Sequence, residues 1–227
     1  EFKNIENKDS EPMYYENLPF RFDTKGIIYN KRGHVYKVNL GTNKFNKIVD
    51  GDKNQIISIG SLVESDKGIV FSYEKYNSKG TMLEEKVGSL ETKKIKEIYS
   101  RGSMGNLFYY EGDLHAIGLK NRFDWPTNTS ILKISSDGKV SFKDRTFDRN
   151  VVKAEVNNSV LYFLYEDSGK TLLRDGTNNI DLIDAEVTIK DFAFNNDKTY
   201  VIANSFSKPD EVYELNNGQL EKTSKAN

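Results

Sequence analysis

Few residues in this sequence could do chemistry, and their spacing serves it poorly. No cysteine is present, which excludes disulfides, cysteine-ligated zinc and a thiol nucleophile together. A hydrolytic serine would sit in Gly-x-Ser-x-Gly between a strand and a helix. The nearest string, Gly102-Ser103-Met104-Gly105, has the wrong spacing and no helical pattern after it. Only two histidines occur. His34 shares strand parity with Tyr36, Val38 and Leu40, and His115 with Ile117 and Leu119, so both read as packed side chains. Neither has a partner at metal-ligand spacing.

Carboxylates are plentiful, so counting alone does not exclude a catalytic pair. Asp66, Asp113, Asp137, Asp175 and Asp197 all fall at expected hairpin turns, where aspartate serves the backbone. Asp50-Gly-Asp-Lys-Asn lacks the spaced ligands and closing glutamate of a calcium loop and reads as a turn. No catalytic, cofactor-binding or metal-binding residue is assigned, and no cofactor is expected. The most informative loop is Lys120 to Asn128, which holds Arg122, Phe123, Asp124 and the sole tryptophan, Trp125. It either covers the rim of its own blade or touches another domain or a ligand.

The elements that would carry these residues repeat. Short apolar strands begin at Gly26, Gly68, Asp113, Ser159 and Lys198, with steps of 42, 45, 46 and 39 residues. An alternating strand follows each, at His34 to Leu40, Leu83 to Leu90, Ser130 to Ile134, Thr171 to Arg174 and Glu211 to Leu215. A turn and a polar closing strand complete each unit, as at Lys94 to Tyr99. A period of roughly 40 to 50 residues with about four strands per unit marks a β-propeller. Inner strands of a stacked blade are covered on both faces and read as unbroken apolar runs, whereas the outer strand meets water. Lysines along that outer strand discourage edge-to-edge aggregation.

The fold expected is all-β: a single propeller domain over residues 1–227, with about five four-stranded antiparallel blades at 12–50, 55–100, 106–146, 151–185 and 187–227. Arg101 to Gly105 reads as a loop, and no helical periodicity of useful length appears.

Lysine and arginine number 33 against 34 acidic residues, a net charge of −1. That balance gives no general attraction to nucleic acid or anionic membrane. The first ten residues lack the apolar core of a signal peptide, and no run reaches membrane-span length. With no cysteine, a cytoplasmic location is expected.

Two stretches carry a family resemblance. Leu18 to Leu40, Leu-Pro-Phe-Arg-Phe-Asp-Thr-Lys-Gly-Ile-Ile-Tyr-Asn-Lys-Arg-Gly-His-Val-Tyr-Lys-Val-Asn-Leu, resembles the mid-propeller segment of acylaminoacyl peptidases. Ser205-Phe-Ser-Lys-Pro-Asp-Glu-Val-Tyr-Glu-Leu, followed by Gln219 to Asn227, resembles their last blade. Thr223 and Asn227 stand where the family's Leu-Thr-x-x-Asn ending would place them, with one extra residue between.

The resemblance covers most of the chain. It implies the prolyl oligopeptidase arrangement, a propeller of usually seven blades joined to a C-terminal α/β-hydrolase domain bearing serine, aspartate and histidine. The propeller there restricts entry, so that short peptides and not folded proteins reach the serine. On this reading the chain starts about two blades late and stops where the hydrolase would begin, and none of the catalytic residues has a position here.

The leading expectation is thus a non-catalytic gating and docking propeller. The connections between blades, and those between each blade's second and third strands, would face the hydrolase domain, with Arg101, Arg122, Trp125, Arg145 and Arg149 among them. Two alternatives belong to other classes. One is a closed five-bladed glycosidase with carboxylates from separate blades around a central pocket. The other is a stand-alone scaffold that binds a protein partner on one face.

Overall fold

The computed structural model describes residues 20–22, 26–28, 32–65, 68–78, 82–91, 94–121, 127–183 and 186–223. The expected repeat is present. Blade two is β5 (Ile56–Ser65), β6 (Gly68–Tyr76), β7 (Leu83–Glu91) and β8 (Lys94–Tyr99), hydrogen-bonded in chain order. Blade three is β9 (Ser103–Tyr110), β10 (Asp113–Leu119), β11 (Ser130–Ile134) and β12 (Val140–Phe142). Blade four is β13 (Asn150–Asn157), β14 (Val160–Asp167), β15 (Lys170–Asp175) and β16 (Ile180–Asp181), and blade five is β17 (Thr188–Asn195), β18 (Lys198–Ser205), β19 (Lys208–Asn216) and β20 (Gln219–Lys222). The first unit forms two hairpin pairs, β1 (Phe20–Phe22) with β2 (Gly26–Ile28) and β3 (Val35–Asn39) with β4 (Lys44–Val49).

All pairings given for these sheets are antiparallel, and turn chemistry explains the hairpins. Between β11 and β12, Asp137 accepts from the Ser135 hydroxyl and the Lys139 amide, and these bonds hold its carboxyl well below the usual range. After β15, Asp175 accepts from the amides of Thr177 and Asn178. Gly112, Gly169 and Gly218 have positive φ at three other hairpins, and Gly138 has it beside Asp137.

The core is a series of sandwich layers, each made by two neighbouring blades. Val70 and Val87 of blade two meet Met104, Leu114, Leu132 and Ile134 of blade three. Phe108 and Ile117 of blade three meet Ala154, Leu161, Phe163 and Tyr165 of blade four. Leu164 and Leu173 of blade four meet Ile189, Phe192, Val201 and Ala203 of blade five. Strand alternation makes this work, since odd and even residues of one strand serve opposite neighbours.

Two sequence expectations are corrected. The Arg101–Gly105 stretch is a loop only at Arg101 and Gly102. Ser103, Met104 and Gly105 pair with Leu119, Gly118 and Ile117, and Met104 is buried. Glycine at 118 permits this, because a Cβ there would lie 1.8 Å from the Ser103 carbonyl oxygen. Residues 51–54, read as a turn, form one helical turn, α1 (Gly51–Asn54). Asp50 caps it by accepting from the Asp52 amide, and Gln55 ends it at φ 55°.

Candidate functional site

In an antiparallel blade the inter-blade link and the link between the second and third strands fall at the same end. Blade three shows this directly: Leu119, ending β10, pairs with Ser103, starting β9, while Gly118 pairs with Ser130, starting β11. The Tyr99 hydroxyl at the end of β8 donates to the Lys120 carbonyl across that end. Arg101 lies in the link from blade two to three, and Arg145 and Arg149 in the link from three to four, so topology brings all three to one rim. All three are exposed. Arg122 and Trp125 lie outside the described residues.

Arg149 is held in place. Its Nε lies 2.9 Å from Asp167 Oδ1 at the end of β14, and its Nη1 donates to the Asp148 carbonyl. Next to it, Asn150 donates to Glu166 and accepts from the Thr129 amide. A chain of polar contacts thus ties the link to the second strand of the blade it enters.

Between blades two and three this rim opens into a polar cleft of about 230 Å³, lined by Glu74, Leu83, Glu85, Ser100, Gly102, Ser103 and Leu119. Glu74 and Glu85 are directly opposite in the β6–β7 register, an arrangement that costs stability unless other groups compensate. The Ser58 hydroxyl donates to Glu74, and the Met104 amide donates to Glu85 at 3.3 Å. Both carboxylates come from one blade, unlike the expected glycosidase arrangement with carboxylates from separate blades.

The innermost strands carry a feature the sequence did not reveal. Each of β5, β9, β13 and β17 has a bulge or register shift in its pairing with the next strand. Polar side chains at or beside these irregularities reach from blade to blade. Ser61 Oγ accepts the Leu107 amide at 2.8 Å, and Asn106 Oδ1 accepts the Ala154 amide at 2.7 Å. Lys153 Nζ donates to Asp191 and to the Phe192 carbonyl, 4.6 Å from the centre of the Phe192 ring. The bulges therefore act as joints between neighbouring blades around the axis.

The two histidines diverge. His115 is buried, stacked on Phe108 at 5.6 Å and edge-on to Tyr110 at 5.9 Å, with Nδ1 3.1 Å from the Asp113 carbonyl. Burial holds its pKa below the ordinary value despite that carbonyl and the Asp113 charge. His34 meets residues distant in sequence: the Gly51 amide donates to its Nδ1 at 3.0 Å, and Nε2 lies 3.8 Å from Asp52 Oδ2. His34, Asp50 and Asp52 place one potential ligand atom each within 4.8 Å of one another. The Gly51 bond, however, occupies the Nδ1 lone pair, so the neutral ring carries its proton on Nε2. In this geometry the ring latches α1 and offers a cation no free nitrogen.

Buried Lys86 forms a structural ion cluster with two partly exposed glutamates. Lys86 Nζ lies 2.9 Å from Glu97 and 3.3 Å from Glu84. Burial opposes the charge on Lys86, yet the hydrogen bonds it donates to these carboxylates raise its pKa above the ordinary value. Nearby Tyr73 is pushed up to about 12, by burial first and then by Glu97.

No protein-family model and no curated protein matches the chain. Solved structures do match. An acylaminoacyl peptidase from Pyrococcus horikoshii, in an orthorhombic crystal form, superposes with a TM-score of 0.74 at 14% identity, over 96% of this chain and 35% of its own. The same organism's enzyme in uncomplexed form gives 0.72 at 14% identity, over 95% and 34%. The β-propeller domain of the Trilobed protease from Pyrococcus furiosus, described as having an open velcro topology, gives 0.53 at 12% identity, over 83% and 75%. At these identities the likeness establishes the fold, a β-propeller. The chain spans about a third of the length of the peptidases it matches. No helix among the described residues is long and apolar enough to cross a membrane.

Proposed function

We propose that this chain is the non-catalytic propeller portion of a serine peptidase resembling acylaminoacyl peptidase, and that it admits short peptides to a separate α/β-hydrolase domain. The observation that carries the reading is the superposition of nearly the whole chain on a third of such a peptidase. Steric selection asks little of the propeller beyond rigid blades and a rim on which the hydrolase can rest. Blade-to-blade joints at the bulges supply the rigidity. The rim bearing Arg101, Arg145 and Arg149 is the docking face, and Arg122 and Trp125 belong to the same proposal. Arginines suit this role because their guanidinium groups pair with carboxylates in fixed geometry. A cytoplasmic location accords with an oligopeptide substrate.

The test uses the polypeptide encoded by the gene that contains this chain. It is expected to cleave a short N-acylated peptide p-nitroanilide and to leave a folded protein intact under the same conditions. Arg149→Glu is expected to loosen the gate and raise cleavage of the larger substrate. Failure to cleave any short peptide, or equal attack on both substrates, overturns the reading.

A further inference from the structure

The turns between second and third strands stand on the arginine rim, and two of them can be compared position by position. In blade four Asp167 pairs with Lys170, and in blade five Ser205 pairs with Lys208, so each turn has two residues at its tip. Blade four places Ser168 and Gly169 there, both at positive φ, and these types suit a tight turn. Blade five places Phe206 and Ser207 there. Phe206 is fully exposed, and a tight turn has no need of a phenyl ring. Arg149 pairs with Asp167, and Lys170 pairs with Glu186 in the link to blade five. The arginine link and the Phe206 turn therefore stand one blade apart on one rim.

A further blade stacked beside blade five would not cover this ring. Blade four is packed on both sides by described blades, yet Ser168 and Gly169 at its turn are exposed. Blade two also has a packed neighbour on each side, and Ser78 and Met82 in its corresponding turn are exposed. Stacking buries blade faces and leaves the turn tips bare. A body seated on the rim is what can reach Phe206.

We propose that Phe206 is the aromatic anchor by which this rim holds the α/β-hydrolase domain of its own polypeptide, its ring entering an apolar pocket on that domain. The inference rests on the peptidase reading and gives the docking rim its apolar contact. The hairpin holds the ring still. Asn204 donates to Asp210 Oδ1 at 2.6 Å across the turn, and Pro209 favours extended backbone at Lys208. A side chain presented on so braced a turn loses little freedom on docking. Aromatic residues and arginines are the types enriched where protein surfaces meet, and a few such residues carry most of the affinity.

The test replaces Phe206 with the photo-crosslinking residue p-benzoylphenylalanine in the whole polypeptide encoded by the gene that contains this chain. The expected product stays monomeric, and its crosslink maps outside residues 1–227, in the hydrolase domain. A crosslink within residues 1–227, a crosslink to a second copy, or no crosslink overturns the anchor. In the same polypeptide, Phe206→Ser is expected to raise protease nicking between the domains about tenfold, whereas Phe206→Leu, which keeps an apolar tip, stays near wild type. Equal nicking of Phe206→Ser and wild type also overturns it. Wild-type cleavage of the short N-acylated p-nitroanilide tests the peptidase reading separately. An active peptidase with its crosslink elsewhere defeats the anchor and leaves that reading standing, and an inactive polypeptide defeats both.

Discussion

The layer between blades three and four and the first hairpin derive from the same repeated unit, yet they differ sharply in burial. Ile131 of β11 and Leu161 of β14 are buried there, each under a neighbouring blade. In β3, a third strand like β11, Tyr36 and Val38 are exposed, and Phe45 of β4 is more so. Their residue types are equally apolar. The contrast teaches that a propeller strand owes its burial to its neighbours.

Several substitutions would break or sharpen that contrast. Leu161→Ala removes a fully buried side chain from a closed layer and is expected to cost about 2–5 kcal/mol in urea unfolding. Phe45→Ala, at the open face, should stay within about 0.5 kcal/mol of wild type. Comparable losses at both sites would show that the hairpin is packed as tightly as the interior. Next in size is the joint between β9 and β13. Asn106→Ala leaves the buried Ala154 amide without its acceptor and is expected to cost about 1–3 kcal/mol. Asn106 has φ 41°, so Asn106→Gly separates backbone strain from the lost bond. A loss that the alanine and glycine variants share belongs to the bond, and a loss confined to alanine belongs to backbone strain.

His115 sharpens the comparison through pH. Its folded pKa lies below the unfolded value, so the unfolded chain binds the extra proton as pH falls through about 6.5. The stability of the buried neutral ring is fully present above that pH and declines below it. Unfolding free energies of His115→Phe and wild type, measured from pH 8 to pH 5, should diverge on the acid side, with the variant falling less. Parallel curves would refute a buried neutral ring. The smallest effect belongs to the surface: Arg149→Ala breaks an exposed ion pair and is expected to change stability by less than about 1 kcal/mol.

The repeat itself was legible, because blade stacking writes a visible pattern. Apolar second strands and alternating third strands fell where the sheets lie, and Asp137, Asp175 and Asp197 stand at hairpin turns, whereas Asp113 already begins β10 and Asp66 lies outside the described residues. The inner strands were harder to read. A bulge inserts one residue without altering composition, so nothing in Ser61, Asn106 or Lys153 announced a joint. Ser103 and Met104 looked like loop because glycines flank them, and only the pairing with β10 makes them strand. His34 seemed to lack a ligand partner because Asp50 and Asp52 reach it through folding of the β4–α1 connection. Its ring does stand by Tyr36, with centroids 6.2 Å apart, and is part-buried, whereas Val38 is exposed. The arginine rim was legible as topology alone: strand order places Arg101, Arg145 and Arg149 at one end, whereas what rests on that end is not written in their spacing.

The central claim is that this chain shapes access and carries no nucleophile. Labelling the polypeptide that contains it with a serine-directed fluorophosphonate, followed by peptide mapping, tests this most directly. The account predicts one labelled serine, outside residues 1–227. A label on a serine within the chain, Ser103 above all, would contradict it.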